Sequence, residues 1–222
     1  EEYGAIRLSE VQALNGSGAP VNIVGTTTGK DAYLWKGSLI VDSSYGTINL
    51  DDPSNVLKNL DRTAVGVTLD AGVSLTGTQS SQVGIADMDI YSNNYVNMVN
   101  NGTITLSGSG SIGIYTNNGT ITNNGSVSAT GINSAALYGE NSTAIRNNTE
   151  GIVNVNSNGV GIYGTSYQNP SSIPTYGTGT INIQNDGTVM SGAGTEAVGI
   201  YANNNRPGGT TADSTVNLST GT

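Results

Sequence analysis

The fold of this chain is restricted most by two short phrases that alternate, always in the same order, along most of its length. The first is an aliphatic, polar, aliphatic triplet that usually follows Gly-Thr or Gly-Ser. It occurs as Ile48-Asn49-Leu50, Val73-Ser74-Leu75, Ile104-Thr105-Leu106, Val127-Ser128-Ala129, Val153-Asn154-Val155, Ile181-Asn182-Ile183 and Val216-Asn217-Leu218. A side-chain period of two is the mark of a strand. The second phrase comes next and reads aliphatic, small, aliphatic, then usually Tyr. It occurs as Val65-Gly66-Val67-Thr68, Val83-Gly84-Ile85-Ala86, Ile112-Gly113-Ile114-Tyr115, Ala135-Ala136-Leu137-Tyr138, Val160-Gly161-Ile162-Tyr163 and Val198-Gly199-Ile200-Tyr201. Tyr115, Tyr138 and Tyr163 stand 23 and 25 residues apart, so one repeat is roughly two dozen residues long.

Strands of three or four residues cannot bury a face alone, whereas coils stacked one on the next bury a continuous aliphatic column. The repeat therefore predicts an all-β chain, a single-chain right-handed parallel β-helix (β-solenoid) with loop insertions. Asn101-Gly102, Asn118-Gly119 and Asn124-Gly125, with Asp186-Gly187 equivalent, are hairpin signals in isolation. Two ordered strand phrases per repeat favour coil corners over a hairpin-built sandwich, with Asn and Gly supplying a left-handed backbone conformation there. In the second phrase, alternation predicts that the first and third residues point inward and that the small residue and the Tyr point outward. Tyr115, Tyr138, Tyr163 and Tyr201 then form an outer ladder, with Thr68 and Ala86 in the same slot upstream. Two readings of the ladder stand side by side. Either the rings stack on one another and cover bare glycines, or they form a stripe that binds sugar or protein.

Composition agrees with a solenoid. The chain has 32 Gly, no Phe, no Cys, no His and one Trp, so its core is made of Val, Ile, Leu and Ala. Seven basic residues against 16 acidic ones give a net charge of −9 with no basic cluster, which disfavours nucleic acid as a partner. No apolar run approaches the roughly 20 residues that span a bilayer, so membrane insertion by this chain is not expected.

The repeat divides the chain in two. Residues 1–45 fit it poorly and read as irregular rungs, a cap or a folded-back extension, with a short capped helix over 9–16 and strands at Ala32-Tyr33-Leu34-Trp35 and Leu39-Ile40-Val41. Residues 46–222 carry the repeats and stop just after a new rung has begun, as in a solenoid truncated at its C-terminus. Four segments interrupt the column. Segment 51–62 has helical spacing, 87–98 carries Tyr91 and Tyr95, 165–179 carries Tyr167, Pro170, Pro174 and Tyr176, and 203–213 carries Arg206. Loops on a rigid scaffold are the usual carriers of function, so these residues are the candidate partner contacts.

Catalytic chemistry has little to work with. Without His or Cys, the common general base, the thiol nucleophile and most transition-metal sites are missing, and no cofactor or metal is expected. Asp51-Asp52 and Asp87-Met88-Asp89 are the tight acidic pairs, of the type a polysaccharide hydrolase or lyase uses, and the expectation is that they are solvated loop charges in a chain that is not an enzyme.

The phrases Asn101-Gly102-Thr103-Ile104-Thr105, Ser111-Ile112-Gly113-Ile114-Tyr115 and Ala197-Val198-Gly199-Ile200-Tyr201 resemble the passenger repeats of large type V autotransporter adhesins, particularly fusobacterial outer-membrane ones. The resemblance covers about residues 46–222. It implies a passenger displayed outside the cell at the bacterial surface, monomeric, binding a host-cell or bacterial surface protein or glycan. A polysaccharide-cleaving β-helix and a structural spacer are the rival readings. The resemblance assigns no binding residue.

Overall fold

A computed structural model describes residues 21–23, 37–41, 43, 46–51, 64–86, 97–117, 119–141, 143–167, 181–192, 196–205 and 215–217. The first strands are β1 (Val21–Ile23), β2 (Gly37–Val41) and β3 (Thr47–Asn49). From β4 onward each coil uses three. The coils comprise β4 (Ala64–Leu69), β5 (Ser74–Gly77) and β6 (Val83–Ala86), then β7 (Asn97–Asn100), β8 (Thr103–Leu106) and β9 (Ile112–Asn117), then β10 (Thr120–Asn123), β11 (Ser126–Ala129) and β12 (Ala135–Glu140). They continue with β13 (Thr143–Asn147), β14 (Ile152–Val155) and β15 (Val160–Tyr167), then β16 (Ile181–Asn185), β17 (Thr188–Ser191) and β18 (Val198–Asn205), and β19 (Thr215–Asn217) opens another.

Every strand pairs in parallel with its counterpart in the neighbouring coil. The result is three sheets: an eight-stranded one (β1-β2-β4-β7-β10-β13-β16-β19), a six-stranded one (β3-β5-β8-β11-β14-β17) and a five-stranded one (β6-β9-β12-β15-β18). This is a parallel β-solenoid, and no described residue lies in an α-helix. The strand expected at Leu39-Ile40-Val41 is present, and β1 and β2 extend the eight-stranded sheet. The helix expected over 9–16, the strand at 32–35 and residues 52–62 of the expected second helix lie outside the described residues.

The core consists of aliphatic ladders that run across the coils. On the six-stranded sheet the ladder is Ile48, Leu75, Ile104, Val127, Val153 and Val189; on the five-stranded sheet it is Ile85, Ile114, Leu137, Ile162 and Ile200. All but Val189 and Ile200 are fully buried, and these two pack against the cluster. Each buried aliphatic side chain contributes about 1.5–3 kcal/mol, which lets a column without Phe hold together.

The register corrects the sequence reading in four places. A coil has three strands, and the two phrases account for two of them. The third, on the eight-stranded sheet, places an aliphatic residue and then an asparagine inward, as in Ile121 and Asn123, so part of it reads as the start of a turn. Val65-Gly66-Val67-Thr68 belongs to this sheet, and Thr68 lies beside Val99 rather than in the tyrosine slot, while Ala86 does lie beside Tyr115. Ile181-Asn182-Ile183 and Val216-Asn217 also belong to this sheet, and the six-stranded position in the upper coil is filled by Thr188–Ser191. Leu75, not Val73, stacks on Ile48.

The second correction concerns the Asn-Gly corners. Asn101, Gly102, Asn124 and Gly125 are not in the left-handed region. Gly is required there by close approach, because a Cβ on Gly125 would lie 2.1 Å from the Gly102 carbonyl oxygen. Positive φ occurs at this corner in other coils, at Gly46 and Gly72, at Asn141 where the five-stranded sheet hands back to the eight-stranded one, and two residues before each five-stranded-sheet strand, at Ser81, Gly110, Asn133, Asn158 and Glu196.

Third, the alternation within the second phrase is broken. Residues three and four of the phrase point inward and outward as expected, but the small residue also faces in. A Cβ on Gly113 would lie 2.3 Å from Val127 Cγ1, so the five- and six-stranded sheets approach closely at this position. The first residue, such as Ile112 or Val160, is half-exposed instead. Fourth, the segment proposed to leave the column at 165 stays in β15 through Tyr167, and the one proposed to leave at 203 stays in β18 through Asn205.

An asparagine ladder lines the interior where the eight-stranded sheet turns toward the six-stranded one. Asn100 Nδ2 donates to Asn123 Oδ1, Asn123 Nδ2 to Asn147 Oδ1 and Asn147 Nδ2 to Asn185 Oδ1, each at 2.8 Å. The first three side chains are fully buried, which is tolerable because each amide finds partners in its neighbours. Outside the same corner a second column runs the opposite way, with Asn148 Nδ2 donating to Asn124 Oδ1 at 2.6 Å and Asn124 Nδ2 donating to Asn101 Oδ1 at 2.8 Å.

Asp51 is not the free loop charge expected from the sequence. Its carboxylate accepts from the Thr78 hydroxyl at 2.6 Å, the Thr78 amide at 2.8 Å, the Gln82 side-chain amide at 2.9 Å and the Gln79 amide at 3.2 Å. The Thr78 hydroxyl, followed by the Thr78 amide, does most to hold its pKa down at about 2. A carboxylate depressed on folding adds stability that is present above its unfolded pKa and lost as pH falls through the folded one. Asp51→Asn should therefore melt below the parent at pH 5, and the gap should close between pH 3.8 and about 2. A melting difference that did not change across that window would mean these hydrogen bonds do not favour the ionised form.

Candidate functional site

The three turns of a coil do not carry insertions equally. From the eight- to the six-stranded sheet the chain crosses in short corners, as at 101–102 and 124–125, and from the six- to the five-stranded sheet at 107–111 and 130–134. Where the five-stranded sheet hands back to the eight-stranded one, the middle coils need only 118–119 and 141–142, but three other coils insert 87–96, 168–180 and 206–214. These three insertions thus leave and re-enter at one edge of the column, whereas the connection 50–63 runs from β3 of the six-stranded sheet to β4 of the eight-stranded one. Two of the three leave from neighbouring strands, since β15 and β18 run paired beyond the core as Thr165 beside Asn203, Ser166 beside Asn204 and Tyr167 beside Asn205.

Tyr91, Tyr95, Pro170, Pro174, Tyr176 and Arg206 fall in these insertions and lie outside the described residues, as do Asp52, Asp87 and Asp89. The backbone of Tyr167 is the last residue of β15. The topology brings the strand ends that flank these insertions, scattered over more than a hundred residues of sequence, to one edge. Sequence spacing alone could not show this, because it depends on which face each strand occupies.

The tyrosine ladder borders that edge. Tyr115, Tyr138, Tyr163 and Tyr201 occupy one register slot, two residues before the strand end in the middle coils. Successive ring centroids are 5.3, 4.7 and 5.2 Å apart, with Tyr115 edge-on to Tyr138 and Tyr138 stacked on Tyr163. The rings are half-buried except Tyr201, which is 42% exposed. Contacts of this kind contribute about 0.5–1.5 kcal/mol per pair. They turn much of the ring surface toward other rings, which supports the structural reading of the ladder over a stripe of open platforms for sugar.

One member of this group was missed in the sequence. Glu140 follows Tyr138 by two residues, so a strand places both on the same face. Its carboxylate accepts from the Tyr115 hydroxyl at 2.8 Å and from the Tyr138 hydroxyl. Burial, and secondarily the hydrogen bond to Glu140, push the Tyr138 phenol well above its ordinary range. The i, i+2 Tyr-x-Glu pattern at the end of a strand is the signal that would have found it.

Among the described residues no group of three His, Cys, Asp or Glu is placed to hold a metal ion, and no helix is long and apolar enough to cross a membrane. Those residues carry six carboxylates (Asp51, Asp70, Glu140, Glu150, Asp186 and Glu196) and one cation, Arg146. The described residues therefore carry a net negative charge. Comparison of the chain with protein-family models, with curated proteins and with solved structures returned no match.

Proposed function

We propose that this chain is a length of the extracellular passenger of a bacterial surface adhesin, a β-solenoid stalk whose insertions bind a host-cell or bacterial surface protein or glycan. The observation that carries the reading is that, from β4 onward, the connections 87–96, 168–180 and 206–214 all join the five-stranded sheet to the eight-stranded one, while the other corners are short. A solenoid used only as a spacer has no need to collect its insertions on one side. The passenger-like phrases of the repeat support the same reading and suggest display by a type V autotransporter. Asp51, engaged by several donors and held near pKa 2, is poorly suited to acid or base work, which leaves the polysaccharide-cleaving alternative weaker.

Segment 168–180 is the longest of the three and contains Pro170, Pro174 and Tyr176. Prolines restrict a loop before it binds, and tyrosine gives contact area at low side-chain entropy cost. Replacing 168–180 by a two-residue corner like 141–142 should leave β-type circular dichroism in place and abolish binding to cells or to a glycan array. Unchanged binding would remove this segment from the proposed site. A collapse of the melting temperature would make it part of the packing instead.

A further inference from the structure

We propose that the tyrosine ladder is a site of oxidative cross-linking, at which one-electron oxidants of the peroxidase or photochemical type join Tyr138 to Tyr163 and so staple two adjacent coils. Three features of the group point there together. The two rings are the closest pair of the ladder, 4.7 Å between centroids and 23° between planes. They face outward and are half-exposed, which gives an oxidant access and the rings room to turn. The Tyr138 hydroxyl donates to the Glu140 carboxylate, a base already in place for the proton that a phenol must lose when it loses an electron.

Burial and Glu140 hold the Tyr138 phenol in its protonated form, so oxidation through a free phenolate is closed at neutral pH. Transfer of the electron outward and of the proton to Glu140 in one event avoids that intermediate. Tyr163 loses its electron to the oxidant and its proton to solvent. The two radicals couple through ring carbons ortho to their oxygens, a carbon–carbon bond forms, and each ortho hydrogen is lost from carbon as a proton while the phenol oxygen regains one. Two tyrosines thus become one dityrosine, two protons are released, and two electrons reduce the oxidant, persulfate or hydrogen peroxide. Tyr115, whose hydroxyl shares Glu140, and Tyr201, tilted against Tyr163 with centroids 5.2 Å apart, flank the pair and can pass a radical into it.

The chain is oxidised with a photoactivated ruthenium tris-bipyridyl complex and persulfate, and separately with a peroxidase and hydrogen peroxide. Products are followed by dityrosine fluorescence and by mass spectrometry of linked peptides. The expected result is a dominant intrachain link between Tyr138 and Tyr163, formed at a rate independent of protein concentration and slower in deuterium oxide. Glu140→Gln should cut its initial rate about tenfold or more, in line with removal of a placed base. Tyr163→Leu should abolish that link. Modification that follows exposure, led by Tyr201 and indifferent to Glu140→Gln, would overturn the proposal, as would cross-links that form only between molecules. Should Glu140→Gln lower the melting temperature, the isotope effect on the parent decides the role of the base, and a rate unchanged in deuterium oxide overturns it.

Discussion

Val127→Asp should remove most of the cooperative melting of the column. Val127 is fully buried in the middle of its ladder, with Ile104 below and Val153 above, and Gly113 of the adjacent sheet is pressed against it. No described cation lies in this interior, so the new carboxylate has no partner for its charge. An unpaired buried carboxylate costs several kcal/mol, a large share of the roughly 5–15 kcal/mol that holds a typical domain folded. Since each kcal/mol moves the melting temperature of a chain this size by about 2–4 °C, the shift should exceed ten degrees or so. In a solenoid the damage also separates the coils above from those below, because each rung is stabilised mainly by its neighbours. Ser128→Asp is the control. It is the next residue, faces outward and is half-exposed, and should change stability by about 0.5 kcal/mol or less. Similar melting of the two variants would mean that the strand does not separate an inward from an outward face as described, and the opposite order would mean that the faces are reversed.

Interrupting the asparagine ladder at Asn123 should be nearly as damaging and should depend on pH in a way a cavity cannot. Asn123 accepts from Asn100 and donates to Asn147, so Asn123→Leu leaves Asn147 Oδ1 without its donor and one N–H of Asn100 without its acceptor, the other keeping only the 3.4 Å contact to the Ser126 carbonyl. At about 1–3 kcal/mol for each orphaned group, the loss is on the order of 2–6 kcal/mol. Shape is not the obstacle, because Leu69 fills the same slot in the coil below Asn100. Asn123→Asp keeps the acceptor for Asn100 but at neutral pH sets a charged oxygen against Asn147 Oδ1. Burial and that neighbouring oxygen raise the folded pKa of the new carboxyl above its unfolded value. Its penalty is then largest at high pH and shrinks as pH falls and the protonated acid donates to Asn147. Melting measured from pH 8 down to pH 5 should show Asn123→Asp recovering while Asn123→Leu stays low. Parallel curves would mean that the amide chain does not run in the direction described.

Much of the architecture is legible locally. The aliphatic third position of the second phrase is inward in every described coil, from Ile85 to Ile200, and the tyrosine after it is outward, because a strand's alternation is written in adjacent residues. Other features are not local. Asn123 and Asn124 look alike in sequence, yet one lies in the inner ladder and the other in the outer column. Gly102 and Gly125 look like residues chosen for backbone freedom and serve instead to admit a neighbouring carbonyl.

The amino-acid sequence by itself determined that the chain coils in parallel, that an aliphatic column made without Phe fills it, and that four tyrosines share one outward slot. Each follows from a period of two inside a repeat of about two dozen residues. The tertiary structure decided the number of faces per coil, the side toward which the small residues turn, the union of Glu140 with Tyr115 and Tyr138, and the gathering of three insertions on one edge. These depend on the register between strands 23 or more residues apart. A slip of two residues keeps every side chain on the same face and leaves the alternating pattern unchanged, as with Val73 and Leu75, so only the pairing of whole coils can select among the alternatives.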